Sequence, residues 1–477
     1  MIVKKPILGG NFIKTNKVLD VLYPYDNSKI GYSYVVDDAY VEEAIRLAKI
    51  GLRKLSELSA YEKYEILYKT SLLLKEHKED MAKMIVYEVG KTIKEARIEV
   101  DRAVETFRFS AEEAKRLHGQ TYQVDAHPSG GSKFGFYVRV PAGLVVAISP
   151  FNFPLNLTAH KVGPAIGAGC PVIVKPSEKT PLSPIFMGEL LMEAGLPKEA
   201  ISVLPGYADL GKALTTHKDV RVVSFTGSKL VGELIAKQAG IKKLVLELGS
   251  NSALVVHKDA DLEKAASKAV QGAFAMAGQV CISIQRIFVH EEVLDRFLRL
   301  LEEKLSNIKV GDPMDESVDM GPMIDKHQVE RIQNWIQEAI QKGAKMIQKA
   351  QNQEHIKGTN YLVPTLLVDT DKDATVFKDE AFAPVVSINR YQDVDELINI
   401  INEGEYGLQI GVYTNDINVA MKFVKNAEVG GVNINEGPNF RVDHMPYGGF
   451  KYSGIGREGP AFAIEDYTEI KNVIISL

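Results

Sequence analysis

The segment AGQVCISIQR, residues 277–286, contains Cys281, one of two cysteines in the chain. A cysteine becomes a nucleophile when its thiol is accessible and when a nearby base or dipole lowers its pKa. The Ala-Gly-Gln before Cys281 predicts a tight approach that ends near backbone N–H groups, which would supply part of this activation. Packing is the alternative, because cysteine is among the most buried residue types. We assign packing to Cys170, which lies between a glycine-rich turn and a predicted strand.

A second group of candidate residues follows the predicted strands of residues 143–249. Short apolar strands alternate there with helices of about ten residues, as in a parallel sheet with helical crossovers. The stretches SPFN, KPSE, LPG, FTGS and ELGS come directly after these strands. Ligands of doubly wound sheets bind outside the carboxyl ends of the strands, so we expect Lys175, Glu178 and Glu247 around one ligand. The GxGxxG fingerprint is absent, and the helix start in FTGSKLVGE offers a weaker phosphate site.

Length, charge and cysteine usage limit the class of protein. The 477 residues exceed the ~250–300 residues at which single cores stop growing, so we expect at least two domains. A net charge of -5 gives no electrostatic footprint for nucleic acid. The N-terminus lacks a signal-peptide pattern, and no apolar run is long enough to span a membrane. Two cysteines without a CxxC pair or a Cys/His cluster argue for a reducing cytoplasm and against a metal site.

The rest of the chain also predicts an α/β fold. Apolar residues recur at three- and four-residue spacing through residues 39–119, which predicts helices. FGFYVRV alternates like a strand. From about Asn251 onward, helical stretches such as VLDRFLRLLEEKLSNI again alternate with strands such as RIFVH and PVVSIN. We therefore expect a second α/β region after the first.

Seven motifs occur in a fixed order along the chain: PFNFP, VIVKPSE, FTGS, LELGS, GQVC, DEAFAPV and PYGGFKYSGIGREG. Together they resemble the aldehyde dehydrogenase superfamily, over essentially the whole chain. The resemblance implies a Rossmann-like parallel-sheet cofactor domain (1–122 and 143–250), an α/β catalytic domain (251–440) and a small β oligomerisation arm (123–142 and 455–477). It also implies a homodimer or homotetramer, because pairing of the arm strands between subunits would remove exposed sheet edges.

The resemblance assigns roles to individual residues. Cys281 corresponds to the nucleophile, Glu247 to the general base, and Asn152 to the residue whose amide forms the oxyanion hole with the Cys281 backbone N–H. The positions implied for cofactor binding are Ile148, Ser149, Pro150, Lys175, Ser177, Glu178, Gly206, Gly211, Phe225, Thr226, Gly227, Ser228, Val231, Leu248, Gly249, Glu380 and Phe382. Those on the substrate side are Arg108, Phe153, His160, Arg441 and Tyr447.

These roles imply a defined reaction. The thiolate adds to an aldehyde, the adduct loses hydride to a nicotinamide cofactor, and water hydrolyses the thioester to a carboxylic acid. Relatives that transfer the acyl group to coenzyme A generally lack a carboxylate at the position of Glu247. Glu178 should accept hydrogen bonds from ribose hydroxyls and repel a 2′-phosphate, which favours NAD and leaves NADP possible.

Polar residues at the substrate positions predict a polar aldehyde. Arg108, His160 and Arg441 stand where the family usually has apolar or aromatic residues. This polar pattern resembles the lactaldehyde and glyceraldehyde-type branch of the family. We therefore expect a small 2-hydroxyaldehyde such as lactaldehyde, glycolaldehyde or glyceraldehyde. Relatives that act on phosphorylated aldehydes often have arginine at the position of Val280. The valine therefore argues against a phosphorylated substrate. Open alternatives are a semialdehyde or a phospho-, phosphono- or sulfo-aldehyde, a non-catalytic protein with this fold, and a thiol hydrolase that needs no nicotinamide.

Overall fold

The computed structural model describes residues 1–352 and 360–476. The first residues form short strands, for which the sequence shows no clear alternation. These strands are β1 (Ile2–Val3), β2 (Ile7–Leu8), β3 (Asn11–Phe12), β4 (Val18–Leu22) and β5 (Lys29–Tyr34). The strands β1, β5 and β4 form a small sheet of their own, and β2 and β3 extend the edge of a larger one.

The predicted helical region follows as α1 (Val41–Glu57), α2 (Ala60–Glu76), α3 (Lys78–Val89) and α4 (Ile93–Ala114). Ser59 caps the start of α2 and Thr92 caps the start of α4, each in a capping box with the glutamate three residues later. Gly90 ends α3 with a φ of 79°, a left-handed conformation that favours glycine. The chain then enters β6 (Gln120–Tyr122) and β7 (Lys133–Pro141).

A mostly parallel sheet follows, as the alternating pattern predicts. Its elements are β8 (Leu144–Ile148), α5 (Asn156–Gly167), β9 (Val172–Lys175), α6 (Leu182–Glu193), β10 (Ile201–Val203), α7 (Ala208–Thr216), β11 (Val220–Thr226), α8 (Lys229–Gln238) and β12 (Lys243–Glu247). The strand order is β12-β11-β8-β9-β10-β2-β3, with β12 to β10 parallel. The central strands are apolar and buried, because helices cover both faces.

A second mostly parallel sheet is built from the next part of the chain. Its elements and their neighbours are β13 (Ala253–Val256), α9 (Leu262–Phe274), β14 (Arg286–His290), α10 (Leu294–Leu305), α11 (Lys326–Gln341), β15 (Lys345–Gln348), β16 (Thr365–Val368), α12 (Thr375–Lys378), β17 (Val385–Tyr391), α13 (Val394–Glu403), β18 (Tyr406–Gly407), β19 (Gln409–Tyr413), α14 (Ile417–Asn426) and β20 (Gly431–Ile434). The order is β15-β16-β17-β14-β13-β19-β20, and β15 runs antiparallel to β16.

The chain then returns to the first sheet and ends on β7. It forms β21 (Phe450–Lys451), β22 (Gly454–Ile455), α15 (Pro460–Asp466) and β23 (Thr468–Ser476). β22 pairs antiparallel with β12, and α15 packs against α4 and α5. β23 pairs with β7 along its whole length, and β6 covers the other edge of β7. Among the described residues, no helix combines the length and apolar composition that crossing a bilayer needs.

We propose the expected division into cofactor domain, catalytic domain and arm for this architecture. The β23-β7-β6 sheet is the proposed arm, and it exposes Phe134, Ile470, Ile474 and Ile475. An exposed apolar sheet is an association hazard unless a partner covers it, which supports a role in oligomerisation. Because α15 packs on the cofactor-domain helices, we propose that the arm's C-terminal part begins at β23.

Candidate active site

A strained turn lies just before Cys281 in the chain. The 3₁₀ turn Ala275–Gly278 holds Met276 and Ala277 at backbone φ values of 51° and 52°, which residues other than glycine rarely adopt. Such conformations cost roughly 1–3 kcal/mol each and persist only where the surroundings enforce them. Gly278 is also left-handed, and a Cβ on it would lie 2.1 Å from the Ala383 carbonyl oxygen. The glycine in GQVC is therefore required by this backbone.

Two polar side chains hold this turn. The Met276 N–H donates to Glu95 Oε1 on α4 at 2.7 Å. The Gln279 side chain donates to the Met276 carbonyl oxygen at 3.1 Å and accepts from the Ile324 N–H at 2.9 Å. The glutamine of GQVC thus fixes the turn from inside, which explains its presence before Cys281.

The Cys281 thiol is partly buried and close to Tyr447. Its Sγ lies 3.0 Å from the Tyr447 hydroxyl. Burial raises the thiol pKa to about 11, and the Tyr447 hydrogen bond and the Arg441 charge act in the opposite direction. The resting thiol is therefore protonated at neutral pH, and nucleophilic attack requires both removal of the proton and stabilisation of the thiolate.

Asn152 lies on the turn between β8 and α5. Its buried amide Nδ2 donates one hydrogen bond, at 3.0 Å, to the Gln279 carbonyl oxygen, and its Oδ1 accepts the Phe153 N–H at 3.1 Å. A primary amide carries two donor hydrogens. The second one remains for an oxygen near Cys281, which suits the oxyanion-hole role expected of Asn152.

A buried ion pair holds the Asn152 turn. Glu99 Oε1 accepts the Leu155 and Asn156 N–H groups at 2.9 and 3.1 Å, which caps the start of α5. Lys91 pairs with Glu99 at 2.6 Å, and both side chains are fully buried. The Lys91 ammonium also lies 3.8 Å from the centre of the Phe153 ring, which is a close cation–π contact. The expected substrate residue Phe153 therefore also stabilises this turn.

Glu247 ends β12 and is buried. Neither of its carboxyl oxygens has a hydrogen-bond partner within residues 1–352 and 360–476. Gly448 allows its close approach, since a Cβ there would lie 2.9 Å from Glu247 Oε1. Burial raises the carboxyl pKa well above its usual value, and the charge of Glu458 raises it further. A carboxyl group kept unpaired with a raised pKa has the properties of a general base.

A buried cluster of charged side chains centred on Glu458 influences both Cys281 and Glu247. Glu458 accepts from Lys161 at 3.1 Å and from Arg441 at 2.9 Å. Lys161 also donates to Thr226 at 2.6 Å. Burial would raise the Glu458 pKa, but Lys161 and Arg441 hold it at about 2. Glu458 is therefore ionised at neutral pH and raises the pKa of Glu247.

Arg441 and His160, two of the expected substrate residues, contact each other in this cluster and do not line the cavity that reaches Cys281. The Arg441 guanidinium lies 3.7 Å from the centre of the Tyr447 ring, and its Nη2 lies 3.2 Å from His160 Nε2. His160 Nε2 also lies 2.9 Å from Asp443 Oδ1. Burial and the Arg441 charge lower the His160 pKa, so the imidazole is neutral at neutral pH. Arg441 Nε and His160 Nδ1 are buried without a partner in the described part of the chain.

The expectation that Arg108 contacts the aldehyde is corrected by the structure. Arg108 lies on the solvent face of α4, where it pairs with Glu105 and leaves 53% of its side chain exposed. Arg102 on the same helix instead reaches inward to Asp443, at 3.1 and 2.8 Å. Asp443 stands two residues after Arg441, and this spacing is the one sequence signal that connects it to the site.

A cavity of about 900 Å³ runs from the strand ends to Cys281. The predicted cofactor residues that line it are Ile148, Ser149, Pro150, Lys175, Ser177, Glu178, Gly211, Phe225, Thr226, Gly227, Ser228, Val231, Leu248, Gly249, Glu380 and Phe382, together with Asn152. Gly206 does not line it. A Cβ on Gly206 would lie 2.3 Å from the Val36 carbonyl oxygen, so this glycine is required for packing. Tyr207, Lys212 and Arg331 line the cavity and are not among the predicted residues.

The lining chemistry suits a dinucleotide. Lys175 is buried at the end of β9, where burial lowers its pKa and the nearby Glu178 opposes that effect. Ser228 caps the start of α8, whose first N–H groups and dipole favour a phosphate. Glu380 accepts the Ser250 N–H at 2.9 Å, and burial raises its pKa to about 7. The cavity therefore offers donors and acceptors for ribose hydroxyls together with a phosphate position, and it ends at the thiol.

Comparisons with known proteins agree with this architecture. The model of the aldehyde dehydrogenase family matches residues 12–473. The 3-sulfolactaldehyde dehydrogenase of Priestia megaterium is 45% identical over 98% of this chain and 97% of its own length. The lactaldehyde dehydrogenase of Methanococcus aeolicus is 39% identical over 98% of this chain and 99% of its own length.

Solved structures give the same result. A glyceraldehyde-3-phosphate dehydrogenase from Methanocaldococcus jannaschii complexed with NADP has a TM-score of 0.92 and 38% identity, over 97% of this chain and 100% of that chain. These similarities confirm the predicted fold and the NAD(P) requirement. With 45% identity to a named dehydrogenase and a family match along nearly its whole length, the chain belongs to the aldehyde dehydrogenase family and is an NAD(P)-dependent enzyme.

Proposed function

We propose that this enzyme oxidises a small 2-hydroxyaldehyde, such as lactaldehyde, glycolaldehyde or glyceraldehyde, to its carboxylic acid. The observation that supports this substrate most is Arg441, a buried cation whose Nε has no partner among the described residues. A buried donor without a partner is costly, so a substrate hydroxyl would be favoured there. Lactaldehyde and 3-sulfolactaldehyde, which name two of the relatives, are both 2-hydroxyaldehydes.

In the proposed reaction, the Cys281 thiol loses its proton to solvent water, and its Sγ forms a bond to the aldehyde carbon while the carbonyl electron pair moves onto oxygen. The free Asn152 N–H and the Cys281 backbone N–H stabilise that oxyanion, and one such donor is typically worth ~10²–10³ in rate. The bound NAD(P)⁺ supplies the acceptor for the hydride that leaves the carbon. Glu247 then takes a proton from the water that attacks the thioester carbon, the carbon–sulfur bond breaks, and Glu247 returns this proton to the Cys281 sulfur.

A sulfonated 2-hydroxyaldehyde is the second candidate. The relative at 45% identity is a 3-sulfolactaldehyde dehydrogenase, and the cluster contains a second inward-facing arginine, Arg102. Arg102 is paired with Asp443 but retains 25% exposure of its side chain. A substrate sulfonate would compete with that carboxylate for the guanidinium. The assay panel should therefore contain 3-sulfolactaldehyde beside lactaldehyde.

Arg441→Ala should lower the preference for a 2-hydroxyaldehyde. We expect the wild-type kcat/KM for lactaldehyde to exceed that for propanal. In Arg441→Ala this ratio should fall by at least about tenfold, because a hydrogen bond from a charged donor to the hydroxyl is lost. The measurement is kcat/KM for both aldehydes in both proteins.

Arg108→Ala is the matched control for this experiment, since it removes an arginine from the solvent face of α4. It should leave the lactaldehyde-to-propanal ratio unchanged. Faster oxidation of propanal or of longer alkyl aldehydes by the wild type would contradict the polar-substrate proposal. An unchanged ratio in a folded Arg441→Ala protein would remove Arg441 from substrate recognition.

Glu178→Gln should improve the use of NADP. We propose that the wild type prefers NAD, because the exposed Glu178 carboxylate at the cavity mouth repels a 2′-phosphate. Loss of that charge is worth about 1 kcal/mol at 4 Å in water, so kcat/KM for NADP should rise about fivefold. Glu193→Gln, which changes an exposed glutamate outside the cavity, is the control. A wild type that already prefers NADP would show the Glu178 argument to be wrong.

A further inference from the structure

The Cys281 thiol has one polar side-chain neighbour in hydrogen-bond contact within the described residues, and it is Tyr447. The two atoms are 3.0 Å apart. Cys281 and Tyr447 also pack together with three apolar side chains, those of Val280, Ile282 and Leu408. In such low-dielectric surroundings a hydrogen bond to a charged acceptor is stronger than in water. Tyr447 is therefore the side chain placed to compensate a charge on sulfur.

The Tyr447 side chain is held in this orientation. Tyr447 is 3% exposed, and its backbone pairs with that of Glu458 in both directions, at 3.1 and 2.6 Å. The Arg441 guanidinium covers one face of its ring at 3.7 Å. Arg441 is itself fixed by its ion pair with Glu458 at 2.9 Å. The hydroxyl, the ring and the cation behind it thus form one rigid unit directed at the thiol.

The direction of the hydrogen bond follows from the protonation states. Burial and the nearby thiol raise the Tyr447 pKa well above its usual value, so its hydroxyl stays protonated. A neutral thiol can donate or accept, but a thiolate can only accept. The charges of Glu380 and Glu247 also disfavour ionisation of the thiol, whereas the charge of Arg441 favours it. Once Cys281 ionises, Tyr447 must be the donor.

We propose that Tyr447 is a catalytic residue whose hydroxyl donates a hydrogen bond to the Cys281 thiolate, with the stacked Arg441 guanidinium holding that hydroxyl in place. The inference rests on the proposed role of Cys281 as the nucleophile. The thiol proton passes to solvent water, and Tyr447 keeps its own proton throughout. When the sulfur–carbon bond forms, the negative charge leaves sulfur for the carbonyl oxygen, and the Tyr447 hydrogen bond to sulfur weakens.

This role is separable from substrate contact. If Tyr447 only contacts the aldehyde, its hydroxyl affects kcat/KM but has no influence on the thiol in the absence of aldehyde. If it stabilises the thiolate, the hydroxyl also controls the reaction of Cys281 with a small alkylating agent. The test therefore measures the carbamidomethylation rate of Cys281 by iodoacetamide in the substrate-free enzyme, followed by mass spectrometry between pH 7 and 9.

Tyr447→Phe should slow alkylation of Cys281 by about 10- to 100-fold at every pH in this range, as expected for loss of a hydrogen bond to a charged group. The logarithm of the rate should still rise with pH. Tyr391→Phe is the control, because it also removes a buried tyrosine hydroxyl, one bonded to His257 at 2.8 Å. Tyr391 lies at the end of β17, opposite His290, whereas Cys281 precedes the start of β14, so this control should alkylate at the wild-type rate.

An unchanged alkylation rate in a folded Tyr447→Phe protein would overturn the inference. If that variant does not fold, 3-fluorotyrosine at position 447 provides the second test. Its more acidic hydroxyl is a stronger donor and should speed alkylation, so an equal or lower rate would also overturn the inference. Full dehydrogenase activity in Cys281→Ala would instead contradict the proposed function. Inactive Cys281→Ala with unchanged alkylation in Tyr447→Phe would contradict only the role of Tyr447.

Discussion

Cys281→Ala should abolish NADH formation while the cofactor still binds. The thiol lies at the end of the cavity proposed for NAD(P) and is the proposed nucleophile, so its loss should remove the covalent route. Loss of a catalytic nucleophile typically costs at least ~10⁴ in kcat. Cofactor affinity should change little, because the strand-end residues that form most of the cavity are untouched. The measurements are NADH absorbance during turnover and a titration of NAD binding.

The chain contains its own control for this variant. Cys170→Ala removes the other cysteine, which is buried and donates to the Tyr467 carbonyl oxygen at 3.2 Å. Burial raises its thiol pKa to about 11, and it does not line the cavity. This variant should lose some stability but retain turnover. More than a trace of dehydrogenase activity in Cys281→Ala would mean that Cys281 is not the nucleophile.

Most of the residues expected at the proposed cofactor site line one cavity, because parallel strands impose a simple geometry. The carboxyl ends of β8, β9 and β11 lie at one edge of a sheet, so residues that follow different strands must meet there. Lys175 and Gly227 are distant in sequence, yet both line one cavity. Gly206 also follows a strand, but its lack of a side chain serves packing against Val36. Sequence alone does not separate a glycine that admits a ligand from one that admits a backbone.

The substrate side could be predicted only in part, because it depends on which face of a helix turns inward. Arg102 and Arg108 are six residues apart on α4, which is about 240° around an α-helix. The structure turns Arg102 toward Asp443 and Arg108 toward solvent. The partner of Arg102 is 341 residues away in the sequence, so no local pattern connects them. The left-handed turn at Met276 could not be predicted from the sequence either, because the residue types at 276 and 277 do not indicate a positive φ.

Glu247→Gln should slow thioester hydrolysis more than hydride transfer. The expected signature is a burst of NADH near one per site, followed by slow turnover. Gln has the shape of Glu but cannot take a proton from water, whereas Cys281 and Asn152 are unchanged and can still form the thioester. The measurement is a stopped-flow record of NADH with enzyme at a concentration that makes the burst visible.

The pH dependence of turnover provides an independent readout of the same variant. Burial and the charge of Glu458 raise the Glu247 pKa, and a general base acts only when it has lost its proton. Where hydrolysis limits turnover, the wild-type kcat should therefore rise with pH as Glu247 ionises, and this rise should be absent from Glu247→Gln. Glu88→Gln is a matched control, since Glu88 is a buried carboxyl with a pKa raised by burial to about 7 that caps α6.

Three results would contradict the role of Glu247. Loss of the burst together with turnover would place Glu247 before hydride transfer, for example as the base for the Cys281 thiol. A burst in Glu88→Gln would show that any buried carboxyl change slows hydrolysis. Added coenzyme A should not accelerate the wild type if Glu247 activates water as proposed, and formation of an acyl-coenzyme A product would exclude the hydrolytic route.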